Sequence, residues 1–288
     1  MSLTSLYLRR TFAKSDRKRD EGCSIGDQVT YLQNLPYGTD RDWQILDVAY
    51  PKEGTGPFLV IVSVHGGGYV YGSKEEYRFY CASLAERGFA VINFNYRLAP
   101  KTHYPSQLHD INSVMAWLMN QGNTYPFDLD HIFMVGDSAG AQMLSQYAAI
   151  CTNPAYETLM DIRPPVFHLR AIGLNCGMYD MEQLKQSQMK LILKDYLGRK
   201  EVLPEESLHV LDYITSDYPP VYIFSAGGDF LRSECEPMAQ LLKERGIPCV
   251  MKIYGDDNTG HVFHLNVRLE TGILANDEET AFFRQYLH

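Results

Sequence analysis

This 288-residue chain has no stretch approaching about 20 uninterrupted apolar residues, so the sequence offers no candidate transmembrane helix. Its opening segment, MSLTSLYLRRTFAKSDRKRDEG, carries charges where a secretory signal needs its apolar run, and a cytoplasmic location is expected. A concentrated basic face is missing too. The formal net charge is −9, and the one basic cluster, Arg9 to Arg19, is interrupted by Asp16 and followed by Asp20 and Glu21, which reads as a solvated helix face. Neither nucleic acid nor an anionic membrane is expected as a partner. The six cysteines (Cys23, Cys81, Cys151, Cys176, Cys235, Cys249) are widely spread and include no C-x-x-C pair. Reduced thiols packed as small hydrophobes are expected rather than disulfides or a zinc site. No internal repeat or low-complexity segment occurs.

What is present is the composition of an ordinary packed globule, with 45% hydrophobic and 21% charged residues. The length allows a single α/β domain. Short β-branched runs alternate with helical periods, the pattern of a mostly parallel sheet with helices on both faces. Candidate strands begin at Trp43 (WQILDVAY), Phe58 (FLVIVSVH), Phe89 (FAVINFNY), His131 (HIFMV), Leu169 (LRAIGLN), Val221 (VYIFSA) and Cys249 (CVMKIY). Helices are expected near Glu76 to Arg87, Pro105 to Gln121, Ala139 to Cys151, Ser233 to Arg245 and Asp277 to Leu287. The first strand or two, around the turn PKEGTG, suit an antiparallel edge. Two segments break the rhythm: residues 1–40 show no strand pattern, and residues 178–220 insert apolar-rich helical sequence between two strands. Such an insertion follows a strand's C-terminal end, where open α/β sheets bind ligands, so both segments read as a small cap on one domain spanning 1–288.

The stretch HIFMVGDSAGAQM holds Gly136-Asp137-Ser138-Ala139-Gly140, a G-x-S-x-G sequence between a strand and a helix. A strand-to-helix turn this sharp crowds the residues two before and two after the serine, which favours glycine at both. It exposes one hydroxyl above a helix N-terminus. A serine nucleophile also needs a base and amide donors for the oxyanion. His65-Gly66-Gly67-Gly68 follows a strand and matches the H-G-G-G loop that supplies such donors. Gly67, Gly68 and Ala139 are therefore expected to form the oxyanion hole, with Gly66 and His65 shaping the loop. The loop lacks the Lys-Ser/Thr of a phosphate-binding P-loop.

Acid and then base should follow the serine along the chain. Asp229, after VYIFSAGG, and His261, in YGDDNTGHVFH, both fall just past strand ends. Asp180 is the rival acid and His264 the rival base. His103, His109 and His131 lie outside this order and read as structural. Tyr69 and Tyr71, directly after the glycines, are candidate substrate-binding residues.

The motifs HGGGYVYGS, FNYRLAPKTHYPSQLHDINSVMAWL, VGDSAGAQM, GGDFLRSECEPMAQLLKERG and GHVF together resemble the hormone-sensitive lipase-like branch of the α/β-hydrolases, which includes carboxylesterases and acetyl esterases. The resemblance runs from about Phe58 to the C-terminus. It implies the α/β-hydrolase fold, Ser138 as nucleophile, Asp229 as acid and His261 as base. Lys101 after YRLAP and Ala141 after GDSAG depart from the family's frequent Glu and Gly without touching the triad. YRLAP and Asp110 read as scaffold tying the strand-end turn to the next helix.

The expected activity is hydrolysis of a short-acyl carboxylic ester, with a sugar acetate suggested by the resemblance and no metal or organic cofactor. Two other readings stay open: a peptidase or amidase using the same triad, and a non-catalytic ligand-binding protein on the same fold. The partner is a small-molecule ester, and homo-oligomerisation is left open.

Overall fold

In strand β3 (Phe58–Val64), Val60, Val62 and Val64 face one hydrophobic core while Ile61 faces another. The period of two repeats in β4 (Ala90–Phe94) and in β5 (Phe127–Asp137), where Ile132 and Met134 point one way and Phe133 and Val135 the other. Strands buried on both faces must be covered on both faces, which is why their sequences are continuously apolar. The computed structural model describes residues 2–121, 124–186, 189–198 and 203–287.

Before these strands come helix α1 (Leu3–Asp20), β1 (Val29–Pro36) and β2 (Ile45–Pro51); after them come β6 (Leu169–Asn175), β7 (Val221–Ala226) and β8 (Cys249–Tyr254). The eight-stranded sheet has the order β1-β2-β4-β3-β5-β6-β7-β8. Only β1 with β2 and β2 with β4 pair antiparallel; the other pairs are parallel. This is the α/β-hydrolase fold. The chain steps outward from β3 in one direction and from β5 in the other, so the boundary between those two strands is the switch point where such sheets bind ligands.

One face is covered by α3 (Ser106–Met119), α4 (Ala139–Thr152) and α8 (Cys235–Glu244), and the other by α2 (Lys74–Glu86) and α9 (Glu270–Phe283). Ser73 starts α2 by accepting the Glu75 N–H, with Glu75 and Glu76 in the favourable first turn. Arg97 and Asp110 join the turn after β4 to α3 at 2.7 Å, and the fully buried carboxylate also accepts the Arg97 N–H. Among the described residues no helix is long and apolar enough to cross a membrane.

The structure corrects three expectations. Residues 29–36 are a strand within the segment assigned to the cap, disguised by a bulge between Leu32 and Leu35 and by Asn34 at φ 59°. The strand from Phe58 does not pair with its predecessor; β4 lies between them. A further helix, α5 (Pro154–Met160), follows α4, and Asn153 caps it with proline in its first turn. Within 178–220 lie α6 (Met181–Gln186) and α7 (Lys190–Leu197), with parts of that segment outside the described residues.

Candidate active site

The turn from β5 into α4 excludes side chains. A Cβ on Gly136 would stand 2.7 Å from the Gly140 carbonyl oxygen, and one on Gly140 would stand 2.1 Å from that of Val64. Between them Ser138 adopts φ 52° and ψ −119°, a strained conformation for a residue with a side chain. Its N–H donates to the Asn175 carbonyl at 3.0 Å, fastening the turn to the neighbouring strand.

Val64 pairs with Gly136 in parallel register, so the glycine loop leaving β3 arrives beside this turn. Gly67 sits at φ 111°, where a Cβ would meet the Tyr71 carbonyl at 2.1 Å. The loop is held by side chains. The Gly66 N–H donates to the Tyr77 hydroxyl at 2.8 Å, and that hydroxyl donates to Asp137 at 2.8 Å. The Tyr96 hydroxyl donates to the His65 carbonyl at 2.9 Å, and the His65 ring stacks on Tyr96 with centroids 4.0 Å apart. Burial pushes the His65 imidazole down to about 4, so it is neutral at physiological pH. Among the described residues, the N–H groups of Gly67, Gly68 and Ala139 have no protein acceptor.

Ser138, Asp229 and His261 come together. His261 Nε2 lies 3.0 Å from Ser138 Oγ, and its Nδ1 lies 2.8 Å from Asp229 Oδ1. Asp229 also accepts the Leu231 N–H at 2.9 Å and the Ser225 hydroxyl at 2.7 Å. Burial alone would raise this carboxyl, but the hydrogen bonds from His261, Leu231 and Ser225 and the His261 charge outweigh it and hold it below its ordinary value. The ionised acid fixes the tautomer that donates from Nδ1 and leaves Nε2 free to accept a proton. The rivals lie elsewhere. Asp180 accepts the Glu182 N–H at the start of α6, and His264 is buried edge-on against Tyr80 and Phe224, where burial pushes it down to about 3.

A cleft of about 300 Å³ opens over Ser138 and His261. Tyr71 lines it, and Phe230, 60% exposed, places its ring 4.5 Å from the His261 ring. Tyr69, expected beside Tyr71, is instead turned into the core: it is 2% exposed, stacks on Tyr196 at 3.9 Å and donates to Gln142. Burying that ring against the aromatic core satisfies both its apolar face and its hydroxyl.

The N-terminal helix supplies a wall that the sequence concealed. Phe12, Asp16 and Arg19, spaced i, i+4, i+7 on α1, line the cleft. The basic cluster is thus solvated on one side only; the Asp16 and Arg19 side chains are 19% and 12% exposed. Arg9 Nε donates to the Val70 carbonyl and Arg19 Nη2 to that of Glu76 at 2.6 Å, pinning α1 against the glycine loop and α2. None of the described residues of 178–220 lines the cleft; α7 packs against α1, and Ile192 stands behind Gly68.

Cys176 Sγ, Asp229 and His261 offer ligand atoms within 4.8 Å of one another, the one such group among the described residues. Burial, reinforced by Asp229, raises the Cys176 thiol well above its ordinary value. A thiol held protonated is a poor metal ligand and a suitable donor to the carboxylate.

A family model for the alpha/beta hydrolase fold matches residues 61–265. An acetyl esterase of Salmonella schwarzengrund is 27% identical over 71% of this chain and 65% of its own length. A versiconal hemiacetal acetate esterase of Dothistroma septosporum is 25% identical over 67% of this chain and 63% of its own. The matches thus span less than two thirds of either relative. The crystal structure of esterase B from Lactobacillus rhamnosis superposes with a TM-score of 0.89 at 23% identity, covering 98% of this chain and 95% of that one. The chain belongs to the α/β-hydrolase fold family.

Proposed function

We propose that this chain hydrolyses short-acyl carboxylic esters through an acyl-enzyme on Ser138. The observation that carries the reading is the continuous hydrogen-bond path from Ser138 Oγ through His261 to Asp229, at 3.0 and 2.8 Å. Ser138 attacks the ester carbonyl while His261 Nε2 takes its proton, and Asp229 orients and stabilises the imidazolium. The N–H groups of Gly67, Gly68 and Ala139, without acceptors among the described residues, receive the oxyanion. His261 then protonates the departing alcohol, and a water molecule repeats the sequence to release the acid. The partner in this reading is a small-molecule ester.

The small cleft supports a short acyl group. At about 300 Å³ it stands at the lower end of the range for ligand pockets. Residues before β1 and the described residues of 178–220 act as the cap: α1 faces the substrate, and α7 supports the glycine loop from behind. Tyr71 contacts the substrate; Tyr69 holds the loop.

Comparing kcat/KM for p-nitrophenyl esters of two, four, eight and twelve carbons, below their aggregation concentrations and beside aminoacyl anilides, tests this. The two- and four-carbon esters should be best. A maximum at eight carbons or above would overturn the short-acyl reading, and anilide turnover exceeding ester turnover would make the chain an amidase.

A further inference from the structure

The residues lining the cleft are chemically mixed. Asp16, Arg19 and Tyr71 make a polar wall, while Phe230, Val262, Leu265 and Phe12, whose ring lies 5.8 Å from that of Tyr71, are apolar. We propose that the polar wall is a recognition site for the alcohol half of the ester, and that this alcohol is an uncharged polyol bearing adjacent hydroxyl groups. The inference rests on the ester-hydrolase reading above and specifies its substrate class.

The hydrogen bonds define the site. Asp16 Oδ1 accepts from Arg19 Nη1 at 2.9 Å and Oδ2 accepts from the Tyr71 hydroxyl at 2.7 Å, which leaves lone pairs on both oxygens. Arg19 gives its Nε to Asp20 at 2.7 Å, and its Nη2 to Asp20 at 2.9 Å and to the Glu76 carbonyl at 2.6 Å. That accounts for four of the five guanidinium N–H groups; one, on the nitrogen facing Asp16, has no acceptor among the described residues. A carboxylate acceptor therefore stands beside a spare guanidinium donor, at fixed separation, in the cleft that holds Ser138. Adjacent hydroxyl groups complement this pair, one donating to Asp16 and its neighbour accepting from Arg19. Burial raises the Asp16 carboxyl above its ordinary value in spite of Arg19 and Tyr71, which means that its two protein donors leave the charge under-solvated. A donating hydroxyl supplies what is missing.

Charge selects further. Arg19 is already paired with Asp16 and Asp20, so the wall carries no spare positive charge for a carboxylate or phosphate, and Asp16, Asp20 and Glu76 repel one. A cationic alcohol would have to approach the guanidinium to reach Asp16. Neutral hydroxyl groups meet neither penalty. The apolar side chains of the cleft take the acyl methyl group and the carbon face of the alcohol.

The experiment measures kcat/KM on two acetates that share an acyl group, glycerol monoacetate and ethyl acetate, for the wild type, Asp16→Asn and Tyr71→Phe. The readout is the ratio of the two values within one preparation, so a fraction of unfolded variant cancels. The wild-type ratio should favour glycerol monoacetate by at least about tenfold, and Asp16→Asn should remove most of that preference, because a site built to bond a hydroxyl discriminates through its polar partners. Tyr71→Phe should lower the ratio less. A wild-type ratio near one, or a ratio unmoved by Asp16→Asn, overturns the recognition site while leaving ester hydrolysis standing. A wild type that turns over neither acetate nor any p-nitrophenyl ester overturns the ester-hydrolase reading, and this inference with it.

Discussion

The Tyr77 hydroxyl donates to the buried Asp137 carboxylate at 2.8 Å while accepting the Gly66 N–H, so one side chain from α2 couples the glycine loop to the residue preceding Ser138. Tyr77→Phe removes the hydroxyl that serves both groups and leaves the buried Gly66 N–H and Asp137 carboxylate only each other. Urea unfolding should show a loss of about 1–3 kcal/mol. Asp137, already raised to about 7 by burial against the opposing hydrogen bond from Tyr77, should rise further without it. A variant as stable as the wild type would show that Tyr77 does not hold the loop.

Ser138→Ala should abolish the acyl-enzyme burst, and His261→Ala should be about as damaging, since triad members act as a unit. His264→Ala should retain the burst, because that ring is buried against Tyr80 and Phe224 and makes no contact with the serine. If the two histidine variants exchanged phenotypes, the base would be misassigned.

Asp229→Asn should lower kcat by roughly 10⁴, as the amide no longer enforces the imidazole tautomer. Asp180→Asn, whose carboxylate caps the start of α6, serves as comparison. A comparable fall in the Asp180 variant alone would transfer the acid's role.

Acid should destabilise the fold through two buried imidazoles. Burial lowers His65 to about 4 and His264 to about 3, so below about 6.5 the unfolded chain takes up protons that the native state refuses. Stability should therefore fall as pH drops from about 6.5 towards 4, by about 2 kcal/mol per histidine at pH 5. His264→Leu, which removes one of the two groups, should flatten the stability profile between pH 4 and 6.5. An unchanged slope would show that His264 is not buried neutral.

Phe133, between Phe89 and Phe283 with centroids at 6.3 and 5.0 Å, anchors the core beneath α2 and α9. Phe133→Ala should cost about 3–5 kcal/mol by calorimetry or denaturant titration. A loss below about 1 kcal/mol would mean that the aromatic stack repacks.

The local strand, turn and helix sequences already singled out Ser138, Asp229 and His261, because each stands where a parallel strand ends and a turn must expose it. Runs such as VIV and VIN also announced strands buried on both faces. Strand β1 stayed hidden because its bulge breaks alternation, and α5 because only the Asn153-Pro154 cap marks it. The Phe230 ring gave no signal beyond its place after Asp229.

By itself the sequence determined the motif chemistry and the class of fold: the glycine at 136 is required by a backbone contact four residues along, that at 140 by the Val64 carbonyl of the strand that pairs alongside, and the order serine, acid, histidine follows the order of the strands. Tertiary structure alone decided what faces Ser138. Tyr69 and Tyr71 are two residues apart, yet one packs on Tyr196 and the other opens on the cleft; Asp16, which reads as one charge on a solvated helix, becomes part of the cleft wall. The reason is physical: a backbone turn is fixed by near neighbours, whereas the side of a helix or loop that water abandons is set by partners up to the far end of the chain.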